Sequence, residues 1–304
     1  MIYNENYTHP KYKNWYYFLK HVPPPFYPLV LKHLYKEKFH VPLNLLEPQR
    51  LSEKILKSCL DDKDIKKTKL TDKLKAKEYV KNVIPDLKYA KVYQIADSFN
   101  ELDFSFAPNS FVIKTNHAWK THILVQDKRL LKSTDYNEFK QYYKSVLSIN
   151  YAYWGSYELQ YKNITPKIFL EEYLCFENEG FIKEYEVYCF KGKPMFINYL
   201  ISPNYTPDLF NCQSDIVKSQ IFDTNWEQAN FKIRFSSGLS TPDTKNKELI
   251  LTYAEKLSYG FDFVRIDIFE IGDELYFGEF TFSPYSGFIT FIPEKFDLIY
   301  GQKY

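Results

Sequence analysis

No glycine occurs in the first 154 residues of this 304-residue chain; all nine lie from Gly155 onward. A P-loop and a dinucleotide-binding fingerprint both need glycine so that the backbone can approach phosphate, so neither exists in that half. A nucleotide bound there is held by other means. Arginine is nearly as scarce. Arg50, Arg129, Arg234 and Arg265 stand among 40 basic residues, which singles out each one, because arginine is the better bidentate clamp for oxyanions. The four cysteines (Cys59, Cys175, Cys189, Cys212) are widely spaced and fit no zinc pattern. They read as reduced, buried thiols of a soluble cytoplasmic protein. Residues 1–10 lack the apolar core of a signal peptide, and no apolar run is long enough to span a bilayer. A net charge of +2 without a basic stripe argues against nucleic acid as a partner. Tyrosine and phenylalanine are abundant beside lysine, the mark of an A/T-rich codon background, so no aromatic binding surface is read into them.

The most informative segment is residues 263–282, Phe-Val-Arg-Ile-Asp-Ile-Phe-Glu-Ile-Gly-Asp-Glu-Leu-Tyr-Phe-Gly-Glu-Phe-Thr-Phe. Two alternating apolar runs flank Gly272-Asp273-Glu274, which predicts a β-hairpin with a three-residue loop. That loop puts Asp267 opposite Glu279 and Arg265 opposite Thr281. Because side chains alternate along a strand, these four share one face, and Val264, Ile266, Ile268, Phe280 and Phe282 share the core face. Paired carboxylates directly across two strands repel, unless a hard divalent cation such as Mg²⁺ lies between them. A nearby arginine would then hold a transferring phosphoryl group or an acyl phosphate. The competing expectation is a solvated strand face, and a two-residue loop would shift the register by one and break the Asp267–Glu279 pairing.

The remaining pattern is mixed. Residues 1–45 form a leader rich in Tyr, Lys and Pro, expected either as a helical arm packed on the body or as a peripheral membrane contact. Helical periodicity runs from Ser52 to Val83, interrupted near residues 61–64 and stopped by Pro85. Strands are predicted at 87–95, 110–114, 167–174 and 185–199, and helices at 134–148 and from about 243 to Gly260, with a loop-rich stretch before the second. There is no βαβ repeat, so the fold class is α+β. The expected organisation is an N-terminal arm over 1–45, an N-terminal lobe over 46–169 and a C-terminal lobe carrying the metal site over 170–304.

Six segments in order then resemble the ATP-grasp superfamily, and more closely its teichuronopeptide-biosynthesis (TupA-like) branch, over roughly residues 38–304. They are Leu70–Val80, Phe111–His117, Trp154–Tyr161, Ile168–Leu174, Phe263–Asp267 and Phe277–Pro284. The resemblance implies two α+β lobes that clasp ATP. It implies Lys73 and Lys114 on the phosphates, the Glu172-Tyr173-Leu174 backbone on the adenine edge with Glu171 accepting from the amino group, and Glu184 or Glu186 on the ribose. Asp267, Glu279 and Thr281 match Mg²⁺ ligands, and Arg265 matches the arginine that steadies the phosphoryl group. One segment departs from the pattern. Relatives carry a glycine-containing phosphate lid where this chain has Asn116-His117-Ala118-Trp119-Lys120-Thr121-His122, so Lys120 or Thr121 is left to cover the phosphates.

The activity implied is an ATP-dependent carboxylate–amine ligase working through an acyl phosphate. Its carboxylate would belong to a hexuronic acid of a bacterial surface polysaccharide such as a capsule, and its amine to an amino acid or small amino alcohol. Trp154, Tyr157, Gln160 and Tyr161 are expected either to line the acceptor site or to form a packed aromatic cluster. A kinase on the same scaffold, a polysaccharide glycosyltransferase and a non-catalytic binding protein remain alternatives.

Overall fold

Local capping sets the helices at the start of the body. The computed structural model describes residues 10–61, 63–174, 181–203, 218–233 and 238–304. In the first turn of α3 (Leu51–Cys59), the Glu53 carboxylate accepts from the backbone N–H groups of Gln49 and Arg50. Asp64 caps α4 (Ile65–Thr71) through the Lys67 N–H, and Asp72 caps α5 (Lys73–Val83) through the N–H groups of Leu74 and Lys75. Such caps satisfy donors that a helix N-terminus otherwise leaves unpaired. The predicted helical stretch is therefore three helices, with breaks at the two aspartates.

Two sheets follow. The smaller, antiparallel throughout, has the order β2-β5-β3-β4, from β2 (Val92–Ala96), β3 (Phe111–Thr115), β4 (Ile123–Val125) and β5 (Ile168–Glu172). Its apolar face packs on α6 (Ser133–Leu147), where Phe111, Ile113, Ile168 and Leu170 meet Phe139, Tyr142, Tyr143 and Val146 in one core. The same core takes in the N-terminal arm, α1 (Pro10–His21) and α2 (Tyr27–Phe39), through Tyr16, Leu19, Leu31 and Tyr35. Tyr27 stacks on Tyr157 with ring centroids 3.9 Å apart. The packed arm and the packed aromatic cluster are thus what forms around Trp154 and Tyr157.

The larger sheet has six strands in the order β1-β11-β10-β6-β7-β8. They are β1 (Lys88–Tyr89), β6 (Phe181–Phe190), β7 (Lys193–Pro203), β8 (Lys218–Asp223), β10 (Phe263–Ile271) and β11 (Glu274–Thr281), while the short β9 (Lys232–Ile233) pairs instead with β12 (Phe291–Ile292). One face, carrying Val187, Val264, Ile266, Ile268 and Phe280, packs on α5 and α7 (Lys247–Ser258). On the other face α3 and α8 (Lys295–Gly301) cover Tyr188, Phe190 and Phe263. Asp297 of α8 locks this cover by accepting from the Ser52 N–H at 2.9 Å and the Ser52 hydroxyl at 2.6 Å.

Two sequence expectations change here. The strand expected over 185–199 is a hairpin, because Lys191 and Gly192 take the left-handed conformation (φ 49° and 74°) that a two-residue turn demands. The strand expected over 87–95 is broken at residues 90–91, and its first piece, β1, pairs in parallel with β11. Since α5 and β1 belong to the larger sheet's core, the chain crosses between the two layers more often than a single boundary at 169/170 describes. Among the described residues, no helix is long and apolar enough to cross a membrane. Cys59 and Cys189 are buried free thiols, and burial pushes each up to about 12; Cys175 and Cys212 lie outside the described residues.

Candidate active site

The β10–β11 hairpin closes with two residues, not three: Ile271 pairs with Glu274 around Gly272-Asp273. Unrelieved, that turn would carry Glu279 off the Asp267 position. Between the pairs Ile266–Phe280 and Ile268–Phe277 the register shifts by one residue, so Gly278 and Glu279 together oppose Asp267. This β-bulge restores the Arg265–Thr281 pairing and leaves Arg265, Asp267, Glu279 and Thr281 together. Gly278 makes the close approach feasible, since a Cβ there would lie 2.9 Å from the Asp267 carbonyl oxygen and 2.9 Å from Phe269 Cε2.

Arg265 is the hub of the group. Its Nε and one terminal nitrogen hold Asp267 bidentately at 2.7 and 2.5 Å, and its other terminal nitrogen reaches Glu186 Oε1 at 2.9 Å. The guanidinium also donates to Thr281 Oγ1 at 3.1 Å and lies 3.6 Å from Glu279 Oε1. The Thr281 hydroxyl donates to Glu279 at 3.1 Å. Carboxylate oxygens of Glu184, Glu186 and Asp267 lie within 4.8 Å of one another. Burial holds the Asp267 carboxyl well above its usual range despite Arg265, and burial followed by the Glu186 charge pushes Glu184 up to about 8. At Glu279 burial is outweighed by Lys73 and Arg265, and the carboxyl sits below its usual range. Carboxylates under this mutual repulsion suit a hard divalent cation, and the oxygen-only group of Glu184, Glu186 and Asp267 fits Mg²⁺, whereas the expected ligands Glu279 and Thr281 join that group through Arg265.

The cations come from α5 and from β3 of the smaller sheet. Lys73, the first residue of α5, donates to the Ala118 carbonyl at 2.8 Å and lies 3.7 Å from Glu279, so it spans the gap between the sheets. Lys114 of β3 pairs with Glu171 of β5 at 2.5 Å, and Lys77 takes the other Glu171 oxygen at 2.6 Å. Burial raises the Glu171 carboxyl, yet Lys114 and Lys77 together bring it below its usual range. Sequence reasoning does not single out Lys77; its spacing of one helical turn from Lys73 is the available signal.

Two adjoining cavities sit over this group. One, of about 230 Å³, is lined by Lys73, Lys114, Glu171, Leu174, Glu184, Arg265, Asp267 and Glu279 among others. The second, of about 550 Å³, shares Lys73, Arg265 and Glu279 and adds Lys120, Thr281, Glu158 and Tyr161. Ten of the expected site residues thus line one cavity or the other, while Glu172 and Tyr173 line neither. The Glu172 N–H donates to the Lys91 carbonyl at 2.8 Å, so that donor is already used within the fold. Glu171 likewise spends both oxygens on lysines, in place of the adenine contact expected of it. In the segment expected as the lid, Thr121 turns inward and its hydroxyl meets Thr115 at 3.0 Å, whereas Lys120, at φ 55°, lines the larger cavity.

A family model described as TupA-like ATPgrasp matches residues 50–304. The chain belongs to this family. Its fold is accordingly ATP-grasp, with the two sheets as the clasping lobes and both cavities between them. No curated protein sequence matches the chain. Similar solved structures include the D-alanine–D-alanine ligase of Helicobacter pylori, at 14% identity and TM-score 0.41 over 77% of this chain and 61% of that one. They also include an L-amino acid ligase of Bacillus licheniformis, at 12% and 0.43 over 85% and 49%. A third is the N5-carboxyaminoimidazole ribonucleotide synthetase of Thermus thermophilus, at 13% and 0.37 over 70% and 45%. The aligned part is less than two thirds of each of those chains.

The segment that follows β3 brings its own pH dependence. His117 is buried with its Nε2 3.4 Å from the Val146 carbonyl, and burial pushes the imidazole down to about 4. A histidine that protonates more readily unfolded than folded takes stability away as pH falls from about 6.5 towards 4. Urea unfolding at pH 7 and pH 5 is expected to show about 2 kcal/mol more acid destabilisation in the wild type than in His117→Phe. Equal losses in the two proteins would remove His117 from the account. Comparing variants is necessary, because the raised carboxyls of Asp267 and Glu184 work in the opposite direction.

Proposed function

We propose that this ATP-grasp protein is an ATP-dependent carboxylate–amine ligase, acting on a hexuronic acid of a bacterial surface polysaccharide with an amino acid or small amine. The observation that supports it most is the bulged hairpin, which sets two carboxylates and a hydroxyl around an arginine at the mouth of a lysine-lined cleft. Family membership points to ATP as the nucleotide, and cytoplasmic ATP would place the reaction there.

Lys73 and Lys114 orient the triphosphate as point charges, with Leu174 on the adenine edge and Glu184 beside the ribose. Asp267, Glu279 and Thr281 would hold Mg²⁺, which when bound would supply charge stabilisation to the transferring phosphoryl group. The substrate carboxylate oxygen attacks the γ-phosphorus as its bond to ADP breaks, and Arg265 holds the acyl phosphate by its oxygens. The amine nitrogen then attacks the acyl carbon, the C–O bond to phosphate breaks, and an amide, inorganic phosphate and a proton are released. Lys120, over the larger cavity, helps keep water from the acyl phosphate. The protein's work is positioning and charge stabilisation.

The test is phosphate release from Mg·ATP with glucuronate or galacturonate, with and without an amine, and mass analysis of the product. Release that needs both co-substrates and yields an amide is expected. A phosphoester formed without amine would assign a kinase instead, and stabilisation by UDP-sugars alone would assign a glycosyltransferase.

A further inference from the structure

The larger cavity contains a charge that the proposed phosphate chemistry does not use. Glu158 lies between two single-turn helices, Tyr151–Tyr153 and Leu159–Tyr161, with its N–H donating to the Ala152 carbonyl at 3.0 Å. The residue is only 3% exposed, and it lines the cavity. Oε1 accepts from the Ser283 hydroxyl, which in turn accepts from Gln160 Nε2 at 2.7 Å. Among the described residues Oε2 has no hydrogen-bond partner, and neither does the neighbouring Gln160 Oε1.

Leaving a buried carboxylate without a cation costs several kcal/mol. The lysine whose charge most favours it, Lys67, is committed elsewhere, donating to the Ser58 carbonyl at 2.9 Å and hydroxyl at 2.8 Å. No cationic side chain pairs with Glu158 among the described residues. Burial accordingly holds its carboxyl above the usual range, against the opposing pull of the Ser283 and Ser286 hydroxyls. A sugar hydroxyl would satisfy the orphan oxygen and leave the charge; an ammonium satisfies both, with three donors to share.

The position is also right for a second substrate. Ser283, which orients Glu158, follows Thr281 by two residues, so their backbones are at most about 7 Å apart. Tyr285 and Ser286, which line the same cavity, and Gly287 run through three consecutive left-handed conformations (φ 55°, 54° and 82°). Two of these are not glycine, and such strain persists where a site needs its shape.

We infer that Glu158, oriented by Ser283, is the anchor for the ammonium group of the amine substrate. The inference rests on the ligase reading and assigns one half of its substrate pair. Glu158 is a binding residue here, and the amine it presents at the larger cavity faces the acyl group beside Arg265.

The experiment is isothermal titration of the protein saturated with Mg·ADP, using ethanolamine, L-alanine, L-lysine and L-glutamate as probes. At least one is expected to bind the wild type, and to bind Glu158→Gln at least tenfold more weakly while the Mg·ADP affinity stays within twofold. Should Glu158→Gln not fold, Ser283→Ala carries the test, with several-fold weaker amine binding expected. Amine affinity unchanged in the variant that folds, or no binding by any of the four to the Mg·ADP-loaded wild type, would overturn the inference and leave the ligase reading standing. A wild type that fails to bind Mg·ADP would instead remove the ligase reading, and this inference with it.

Discussion

Asp267→Asn is expected to abolish magnesium-dependent stabilisation by ATP and ADP and to lower turnover roughly 10³-fold, about 4 kcal/mol of barrier. The substitution keeps the side-chain volume and removes the charge from the most constrained donor in the cluster. Asp267 sits in an interior strand of the sheet, in register with Glu186 on one side and facing the bulge on the other. The fold is expected to survive, because Arg265 retains Glu186 at 2.9 Å and the nearby Glu279. Thermal melting with ADP, with and without Mg²⁺, separates the outcomes by linkage. A variant that keeps the full Mg²⁺-dependent shift would show that Asp267 is no metal ligand, and would turn attention to Glu184 and Glu186.

The second large effect comes from a residue with no side chain. Gly278→Ala is expected to cost about 2–3 kcal/mol of stability and at least roughly 100-fold in activity. A Cβ at this position meets the Asp267 carbonyl and Phe269 Cε2 at 2.9 Å and the Asp267 Cβ at 3.2 Å. The first of these is backbone in the adjacent strand and cannot swing aside, so the bulge must open. Opening it takes Glu279 out of line with Asp267, which damages the cation site more than the fold. Urea unfolding gives the stability change, and an Mg·ADP titration gives the site's. Wild-type nucleotide affinity in Gly278→Ala would mean that the bulge does not govern the carboxylate pairing.

The faces of this hairpin are legible from sequence because alternation of apolar and charged residues is a backbone property. Loop length is not, since Gly272-Asp273-Glu274 accommodates turns of two or three residues equally well. Two departures cancel: the tighter turn moves the register one way and the bulge moves it back. Gly278, a glycine inside an otherwise continuous strand, is the visible sign of the second. The β6–β7 hairpin is legible too, since Lys191-Gly192-Lys193-Pro194 is a turn signal between two apolar runs that a single strand over 185–199 overlooks. Glu171 shows where sequence runs out. Its role depends on Lys77 and Lys114, which reach it from a helix and a neighbouring strand, and nothing local to Ile168–Leu174 encodes that meeting. The same holds for Glu158, whose unpartnered oxygen becomes visible only once Ser283 and Lys67 are placed.

The parallel pairing of β1 with β11 also sets a timetable for the nascent chain. Lys88 emerges from the ribosome 188 positions before its partner Tyr276 (276 − 88). At about 5–20 residues per second, that is a wait of roughly 10–40 s. Over that interval β6 to β8 and Glu171, the partner of Lys77, have already emerged, but α5 still lacks β10 and β11, and Lys73 lacks Glu279. A polypeptide halted before residue 263 would carry Lys73, Lys77 and Lys114 but neither Asp267 nor Glu279. On the proposed ligase reading, nucleotide capture is among the last abilities the growing chain acquires, and retention on an ATP resin would report that translation had run through the hairpin.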